Sequence, residues 1–348
     1  MGNVLKKTMV VMLAAAICTG GTVLAADGTE AGTEEYLFTT LWEAPPKEAA
    51  FAFQPKISSC YMDEIYGNTI VQTWYHLIDA VYAGEDTFAC PDQETYNWVM
   101  GQLPDRYLPV LTQLIGPVYT DSVENGMARF VYSASVEEVR TRLDAFEELV
   151  EDILNQTMQT EYSDLEKALS LYQYFYSTYE YDEETFQKQQ EGDNPWLSSY
   201  RFLTEGTGIC QEISTAYSYL LLQAGVDATI MMGESQLHGY NHQWSYVRIN
   251  GKNYHIDPTY VLGEYSSLEY FLLTDEKRSE EFLPEQFVIA GAYSQEHSHP
   301  EYRAEDDSFR ILWDTNLEYF DHDTHTIYSW KHDENGNPEA VIFDYGEF

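Results

Sequence analysis

Apolar side chains at helical spacing predict an amphipathic helix that begins at Cys210. The apolar face of this helix contains Ile213, Tyr217, Leu220, Leu221 and Ala224. The pattern stops at Gly225, a residue type that readily adopts the left-handed conformation just past a helix end. Two glycines, Gly206 and Gly208, precede the cysteine and allow close approach of another backbone or a ligand. The pattern therefore places Cys210 at a helix N-terminus.

The chain before this helix has mainly helical periodicity. The expected elements are helices over 63–82, from near 91 to before 104, and over 107–115, followed by a strand over 127–132. Two capping boxes, Ser135 with Glu138 and Ser163 with Glu166, then predict two further helices. The second of these helices leads the chain towards Cys210.

A β-hairpin is predicted after the Cys210 helix. Asn250-Gly251 is the strongest short-range signal for a two-residue turn with positive φ at both positions. The flanking segments, 242–249 and 252–257, are rich in aromatic and β-branched residues, as is typical of strands.

The register of this hairpin brings two polar side chains together. With a two-residue turn, Asp257 faces Trp244, and His242 lies two residues further along the same strand face. The diagonal separation of roughly 7–8 Å allows a carboxylate to reach an imidazole. A bulge in either strand would break this register.

Two other segments complete the pattern. Residues 183–200 are polar and predict a loop near Cys210, in which Trp196 and Tyr200 either donate to an oxyanion or pack. The C-terminal part predicts strands over 311–319, 326–330 and 340–345 with a turn at 335–338. These strands either extend the core sheet or form a small β-module.

Cys210, His242 and Asp257 have the residue types of a nucleophile, a base and a group that orients the base. A helix N-terminus favours an anion, and the thiolate is the nucleophilic form of cysteine. The competing interpretations are that Cys210 is a buried small hydrophobe, and that His255 serves as the base. His255 is closer to the turn and has no diagonal acid on the hairpin, which favours His242.

Residues from about 164 to 278 resemble the transglutaminase-like superfamily, papain-related cysteine enzymes that are common among secreted bacterial proteins. The matching pieces are Tyr179-Glu180-Tyr181-Asp182, Gly206-Thr207-Gly208-Ile209-Cys210, Gly239 with Asn241-His242-Gln243-Trp244, Gly251-Lys252-Asn253-Tyr254-His255-Ile256-Asp257-Pro258-Thr259, and Tyr270-Phe271-Leu272-Leu273. The resemblance implies Cys210 as nucleophile, His242 as base and Asp257 as its partner. It also implies an α+β fold with a papain-like core, in which the nucleophile helix packs on an antiparallel sheet.

The N-terminus has the pattern of a secretory signal. Lys6 and Lys7 precede a short apolar core over 9–16, and Val23-Leu24-Ala25 provides a small-residue cleavage site. We therefore expect an exported protein that is cleaved near Ala25. The expected divisions are a signal over 1–25, a flexible or extended segment over 26–57, a mainly helical region over 58–160, the catalytic core over 161–280 and a β-rich extension over 281–348.

The formal net charge of −40 opposes binding to nucleic acids and to anionic membranes. No apolar run long enough to span a membrane follows the signal. His297 and His299, and His322 and His325, lack the spacing of a zinc site and are interpreted as surface loop histidines, so no metal or cofactor is expected. The acidic residues show no calcium-loop motif.

The region after the signal contains three cysteines, Cys60, Cys90 and Cys210. An odd number in an exported protein suggests one free thiol, which allows a disulfide between Cys60 and Cys90 and leaves Cys210 unpaired. Two buried reduced thiols explain Cys60 and Cys90 equally well.

Together these patterns predict a secreted cysteine enzyme that attacks an amide bond of a peptide or protein through a thioester. Hydrolysis of peptide or isopeptide bonds is the preferred interpretation. The alternatives are transamidation of protein glutamines, which cross-links proteins, and a non-catalytic binding module on the same fold.

Overall fold

The computed structural model describes residues 50–193, 195–236, 239–263, 266–289 and 302–346. The expected signal over 1–25 lies outside these residues, as do His297 and His299. All described residues belong to one unit of the chain, Ala44–Phe348. The division of this unit into a helical region, a core and an extension stays a prediction.

The N-terminal region combines helices with a small antiparallel sheet. Its elements are α1 (Cys60–Tyr66), α2 (Asn68–Ala83), β1 (Thr87–Ala89), α3 (Gln93–Gln102), α4 (Pro104–Tyr107), α5 (Leu111–Leu114), β2 (Ile115–Pro117), β3 (Val123–Glu124), β4 (Met127–Tyr132) and α6 (Val136–Thr157). Strand β4 is the one predicted over 127–132, and it pairs with β1, β2 and β3. Ala128 and Phe130 on β4 are buried while Met127 and Val131 are exposed, the alternation expected of a half-buried strand.

Two helix predictions in this region were wrong in detail. The helix expected over 63–82 is interrupted at Gly67, whose φ of 79° and ψ of 162° suit glycine alone and separate α1 from α2. The helix expected over 107–115 reduces to α5, because Leu108 adopts non-helical angles after α4. The cap at Ser135 is present, since its side chain accepts the backbone N–H of Glu138.

The central region is a helix packed on an antiparallel sheet. Its elements are α7 (Asp164–Thr178), β5 (Glu180–Tyr181), α8 (Glu183–Gln190), α9 (Ser199–Glu205), β6 (Thr207–Gly208), α10 (Cys210–Gln223), β7 (Asp227–Glu234), β8 (Asn241–Ile249), β9 (Lys252–Ile256), α11 (Asp275–Arg278) and β10 (Val288–Ile289). The sheet order is β10-β7-β8-β9, and every pair is antiparallel. This is the α+β, papain-like core that the sequence predicts.

Helix α10 is held on this sheet by apolar packing and by polar contacts to the strands. Ile213, Tyr217 and Leu220 of its predicted apolar face are fully buried. The Ser218 hydroxyl donates to the Thr229 carbonyl of β7 at 2.8 Å, and the Ser245 hydroxyl of β8 donates to a carbonyl of α10 at 3.0 Å. These contacts set the position of the α10 N-terminus relative to β8.

The connection before α10 differs from the prediction. Residues 183–200 were expected to form a loop, but α8 occupies the first half. Asp182 starts this helix by accepting the backbone N–H of Thr185 at 2.9 Å.

The capping box at Ser163 is confirmed, because Ser163 and Glu166 bond reciprocally at the start of α7.

The C-terminal strands form a separate three-stranded antiparallel sheet rather than an extension of the core sheet. They are β11 (Asn316–Asp321), β12 (Thr326–His332) and β13 (Pro338–Asp344), in that order. The predicted strand over 311–319 starts later, since Arg310–Leu312 is a 3-10 helix. Buried Glu166 of α7 anchors this sheet by accepting the Tyr345 hydroxyl at 2.6 Å.

All three cysteines of the described residues are free thiols. The structure therefore contains no bridge between Cys60 and Cys90. Burial, reinforced by the charge of Asp227, raises the pKa of Cys60 to about 12. Burial also raises the pKa of Cys90. Both thiols are consequently protonated and weakly nucleophilic near neutral pH.

Candidate active site

The β8–β9 hairpin has the predicted register. Asn250 and Gly251 have φ angles of 50° and 75°, as a two-residue turn with positive φ at both positions requires. Ser245 pairs with Ile256 and Ile249 with Lys252, without a bulge between them. The polar residues expected at the open end of this hairpin therefore lie on one face of it.

His242 and Asp257 meet at that end of the hairpin. The Nε2 atom of His242 lies 2.7 Å from Oδ2 of Asp257, and both side chains are buried. The backbone N–H of Thr259 donates to the other carboxylate oxygen of Asp257 at 3.2 Å. These two contacts fix the orientation of the carboxylate against the imidazole.

Cys210 is the first residue of α10, as the sequence predicts. Its backbone N–H lies in the first turn, where helix geometry supplies no intrahelical acceptor. Gly206 has a φ of 81° and ends α9 in the left-handed conformation. Gly208 is required for packing, because a Cβ there would lie 2.7 Å from the ring of Phe202. The two glycines thus allow the chain to turn sharply after α9 and to pack against it just before Cys210.

Cys210 and His242 line the same cleft, which has a volume of about 300 Å³. The Cys210 side chain is near enough to the His242 imidazole to help raise its pKa. Nε2 of His242 is bonded to Asp257, so the imidazole contacts the carboxylate and lines the same cleft as the cysteine. The structure brings together all three residues that the sequence singles out.

The electrostatics of this cluster favour a charged imidazole. Burial alone would lower the pKa of His242, but the charges of Asp257 and Cys210 outweigh it and raise the pKa to about 9. Burial would likewise raise the pKa of Asp257, but the positive charges of His242 and Arg278 hold it below its ordinary value. The His242 imidazolium and the Asp257 carboxylate therefore coexist near neutral pH.

The raised pKa of His242 predicts a loss of stability at alkaline pH. The folded protein binds the imidazole proton more tightly than the unfolded chain does, so the protonated imidazole stabilises the fold. This stabilisation is fully present below about pH 6.5, the ordinary pKa, and is lost as the pH rises through the folded pKa of about 9. The expected loss is of the order of 3 kcal/mol in the free energy of unfolding. Urea denaturation at several pH values should show this loss in the wild type, and much less of it in His242→Gln. Equal losses in both proteins would contradict the assignment.

Arg278 on α11 is a residue of the site that the sequence analysis missed. Its guanidinium is fully buried, and Nη2 donates to Oδ2 of Asp257, the same oxygen that contacts His242. Nη1 donates to Glu281 at 2.8 Å. The guanidinium also lies over the rings of Trp244 and Phe282, at 4.5 and 4.4 Å from their centroids. Arg278 and His242 therefore share one oxygen of the Asp257 carboxylate.

A second buried network holds the start of α10. Glu212 is 1% exposed and accepts the backbone N–H groups of Ile209 at 3.2 Å and Ser198 at 3.0 Å. The Arg201 guanidinium donates to both Glu212 oxygens, at 2.8 and 2.5 Å, and to Asp182 at 3.0 Å. This network ties α9 and the segment before α8 to the first turn of α10. Local sequence patterns do not signal it, because its members come from separate elements.

His255 cannot act as the base. Its Nδ1 atom accepts the indole N–H of Trp244 at 2.7 Å, and its Nε2 atom lies 2.8 Å from Oδ1 of Asp275. His255 has no acid partner on the hairpin itself, and its partner Asp275 comes from α11. Burial lowers the pKa of His255 despite this acid, so the ring is neutral with both nitrogen atoms occupied.

The two aromatic residues considered as oxyanion donors lie outside the cleft. Trp196 is 49% exposed, and Tyr200 packs against Phe146 of α6 with ring centroids 5.7 Å apart. Tyr181 of β5 lines the cleft together with Cys210 instead. Burial and the charge of Cys210 both raise the pKa of Tyr181, so its hydroxyl is protonated near neutral pH. Strand β5 is only two residues long, so its sequence has no periodic pattern that would predict Tyr181 in the lining of the cleft.

Across the described ranges, no three side chains of His, Cys, Asp or Glu converge in a way that could hold a metal ion. His322 lies in the turn between β11 and β12, as the loop interpretation expects, and its Nδ1 atom lies 2.8 Å from Oε1 of Glu166. Within the part of the chain that the structure describes, no helix has the length and apolar character needed to cross a membrane.

The fold and the site together define a papain-like core with a cysteine at the N-terminus of its central helix. Residues 151–258 match the sequence profile of the transglutaminase-like superfamily. This segment contains Cys210, His242 and Asp257. The likeness to the transglutaminase-like superfamily applies to this segment, which is less than half of the chain.

Three solved structures are similar to parts of the chain. A candidate cysteine protease of Cytophaga hutchinsonii is 17% identical over 34% of this chain and 38% of that chain, with a TM-score of 0.27. A TGase is 16% identical over 51% of this chain and 52% of that chain, with a TM-score of 0.31. Legionella pneumophila LapG is 18% identical over 47% of this chain and 84% of that chain, with a TM-score of 0.29. The chain spans less than two thirds of the first two proteins, and no curated protein matches it.

Proposed function

We propose that the protein is an exported cysteine hydrolase that cleaves peptide or isopeptide bonds through a thioester on Cys210. The observation that supports this function is that His242 contacts the Asp257 carboxylate and lines one cleft together with Cys210. The sequence pattern of residues 1–25 supports export. The substrate is a peptide or protein.

In the first step, the Cys210 sulfur attacks the carbonyl carbon of the scissile amide. The proton of the resting thiol is held by His242, and the imidazolium beside the sulfur favours the thiolate. As the C–N bond breaks, His242 delivers this proton to the departing nitrogen, so the amine leaves neutral and the acyl group remains on sulfur. Asp257 steadies the imidazolium through its contact with Nε2.

In the second step, water resolves the thioester. His242, now neutral, accepts a proton from water as the oxygen attacks the acyl carbon, and the carbon–sulfur bond breaks. The acid leaves and the Cys210 thiolate with its imidazolium is restored. In both steps the carbonyl oxygen gains negative charge. The backbone N–H of Cys210 and the hydroxyl of Tyr181 are our candidate donors to it.

The test of this proposal is selective alkylation of Cys210. At about pH 6 we expect iodoacetamide to modify Cys210 at least about tenfold faster in the wild type than in His242→Ala, because the neighbouring imidazolium stabilises the thiolate. Peptide mapping by mass spectrometry measures each cysteine separately. Cys60 and Cys90 serve as internal controls, since the raised pKa of each keeps the thiol protonated. Equal rates in the two proteins would instead support a non-catalytic binding module.

Amine trapping distinguishes hydrolysis from the runner-up, transamidation. With a labelled primary amine present at millimolar concentration, a hydrolase releases mainly free acid, because water reaches the thioester. Predominant incorporation of the amine into the acyl product would replace our proposal by transamidation on the same residues.

A further inference from the structure

The walls of the cleft around Cys210 and His242 are aromatic. Four rings line it, those of Tyr181, Phe186, Tyr240 and Tyr260. The remaining described lining residues, Asn241 and Thr259, are neutral. Among the described residues that line this cleft, none is a carboxylate, a lysine or an arginine. A small aromatic cleft with few polar groups is the usual form of a binding site for an apolar group.

Phe186 is placed in this cleft by a helix that has no part in the core. No residue of α8 is buried, although a surface helix normally buries one apolar stripe. Its fold is maintained by the Asp182 cap and by a pair between Lys188 and Glu184 at 2.6 Å. The Phe186 ring instead faces Tyr181 and Tyr240, with centroids at 6.1 and 6.4 Å. The ring thus contributes to the cleft rather than to the stability of the core.

Tyr260 forms the wall next to the base. Its ring centroid lies 5.0 Å from that of His242, and the ring is supported from behind by Tyr270 at 4.8 Å. The side chain is 37% exposed even though it follows directly on the buried site residues. An apolar group that entered the cleft would therefore cover exposed aromatic surface immediately beside the reacting atoms.

We propose that this cleft binds an apolar or aromatic side chain of the substrate, in the residue adjacent to the scissile carbonyl. The proposal rests on the proposed function, because the reacting carbonyl is taken to meet Cys210. A volume of about 300 Å³ holds one such side chain, and its burial against the rings removes apolar surface from water. An acidic side chain meets no lysine or arginine among the described lining residues, and the His242 imidazolium is already paired with Asp257. It also faces a chain of net charge −40. A basic side chain meets no carboxylate there.

The direct measurement is binding to the Cys210→Ala protein, in which no turnover occurs. The probes are peptides of the form acetyl-Ala-Ala-Xaa-Ala-Ala-amide, with Phe, Leu, Gly, Glu or Lys at Xaa. We expect the Kd of the Phe and Leu peptides to be at least about tenfold lower than that of the Gly peptide, and the Glu and Lys peptides to bind no better than Gly. Equal Kd values, or a preference for Lys, would overturn the proposal.

Substitutions in the lining test whether the preference for apolar peptides arises in this cleft. Phe186→Ala, made in the Cys210→Ala protein, should weaken binding of the Phe peptide by about tenfold and that of the Gly peptide by less than about twofold. Phe186→Leu should recover part of the loss. Tyr319→Ala removes an exposed aromatic ring from the C-terminal sheet, outside the lining of the cleft, and should change neither value. An unchanged Kd in Phe186→Ala would contradict the assignment.

Wild-type turnover of the same peptides separates the two proposals. Selective binding without cleavage, and without rapid labelling of Cys210, would leave the apolar subsite intact and refute the hydrolase. Cleavage of the Phe and Gly peptides with equal kcat/KM, combined with equal Kd values, would leave the hydrolase intact and refute the subsite.

Discussion

Replacing Cys210 by alanine is expected to lower kcat for peptide hydrolysis by at least about 10⁴-fold, the scale seen when a covalent nucleophile is removed from a catalytic unit. Among the described residues that line the cleft, Cys210 is the cysteine, and under our proposal its sulfur carries the acyl group. The measurement is release of new amino and carboxyl termini from a peptide pool, followed by mass spectrometry. Because the Cys210 side chain is only partly buried, the free energy of unfolding should change by less than about 1 kcal/mol.

The matched control is Cys60→Ala. Cys60 is also the first residue of a helix, α1, yet burial and Asp227 raise the pKa of its thiol to about 12. A helix N-terminus alone is therefore insufficient for reactivity, and the control should retain the wild-type kcat. Full activity in Cys210→Ala, or loss of activity in Cys60→Ala, would refute the assignment of the nucleophile.

Replacing Arg278 by methionine is expected to lower the free energy of unfolding by about 3–5 kcal/mol, the usual cost of removing one partner of a buried ion pair. The guanidinium is fully buried and bonded to Asp257, which is itself 1% exposed. Methionine retains part of the contact with Trp244 and Phe282, so most of the loss should come from the uncompensated carboxylate. Urea denaturation measures this loss.

The same variant tests whether Arg278 positions the site. The positive charge of Arg278 helps to hold the pKa of Asp257 below its ordinary value of 3.8. The ionised carboxylate therefore stabilises the fold above pH 3.8, and this stabilisation is lost as the pH falls through the lower pKa of the folded protein. Without Arg278 the pKa of Asp257 rises. The acid limb of the kcat profile should then move to higher pH, with KM changed much less than kcat.

Two further variants separate positioning from a purely structural role. Glu281→Gln removes the charge at the other end of the guanidinium but leaves the bond to Asp257, and should preserve the wild-type pH profile. Arg278→Lys keeps the charge and should restore the position of the acid limb even where stability is not fully recovered. An acid limb that stays in place in Arg278→Met would limit Arg278 to a role in folding.

Much of the site follows from local sequence. The Asn250-Gly251 turn selects a two-residue hairpin, and a two-residue turn leaves one register, which brings His242 and Asp257 to the same face. The start of α10 at Cys210 follows in the same way from the glycines before it and the apolar period after it. Both inferences succeed because the forces that decide them act between residues close together in the chain.

Local patterns were less informative where an element has no apolar face of its own. Helix α8 carries no buried residue, so its sequence was interpreted as a loop. The break at Gly67 was missed because the apolar period continues on both sides of it. In each case a cap or one backbone conformation decides the structure, and such features alter the hydrophobic pattern very little.

The placement of Cys210 and His242 at one cleft, by contrast, was decided by tertiary packing of α10 on β7 and β8. Tertiary packing also brings Arg278 to Asp257 and Tyr181 to the cleft. These two residues come from separate elements, and no periodic pattern in the sequence predicts their positions. Local sequence determines backbone conformation and register, because turns and caps are short-range interactions. A buried charge beside Asp257 is stable only when the surrounding side chains exclude water and pair with that charge, and those side chains are assembled by the complete fold.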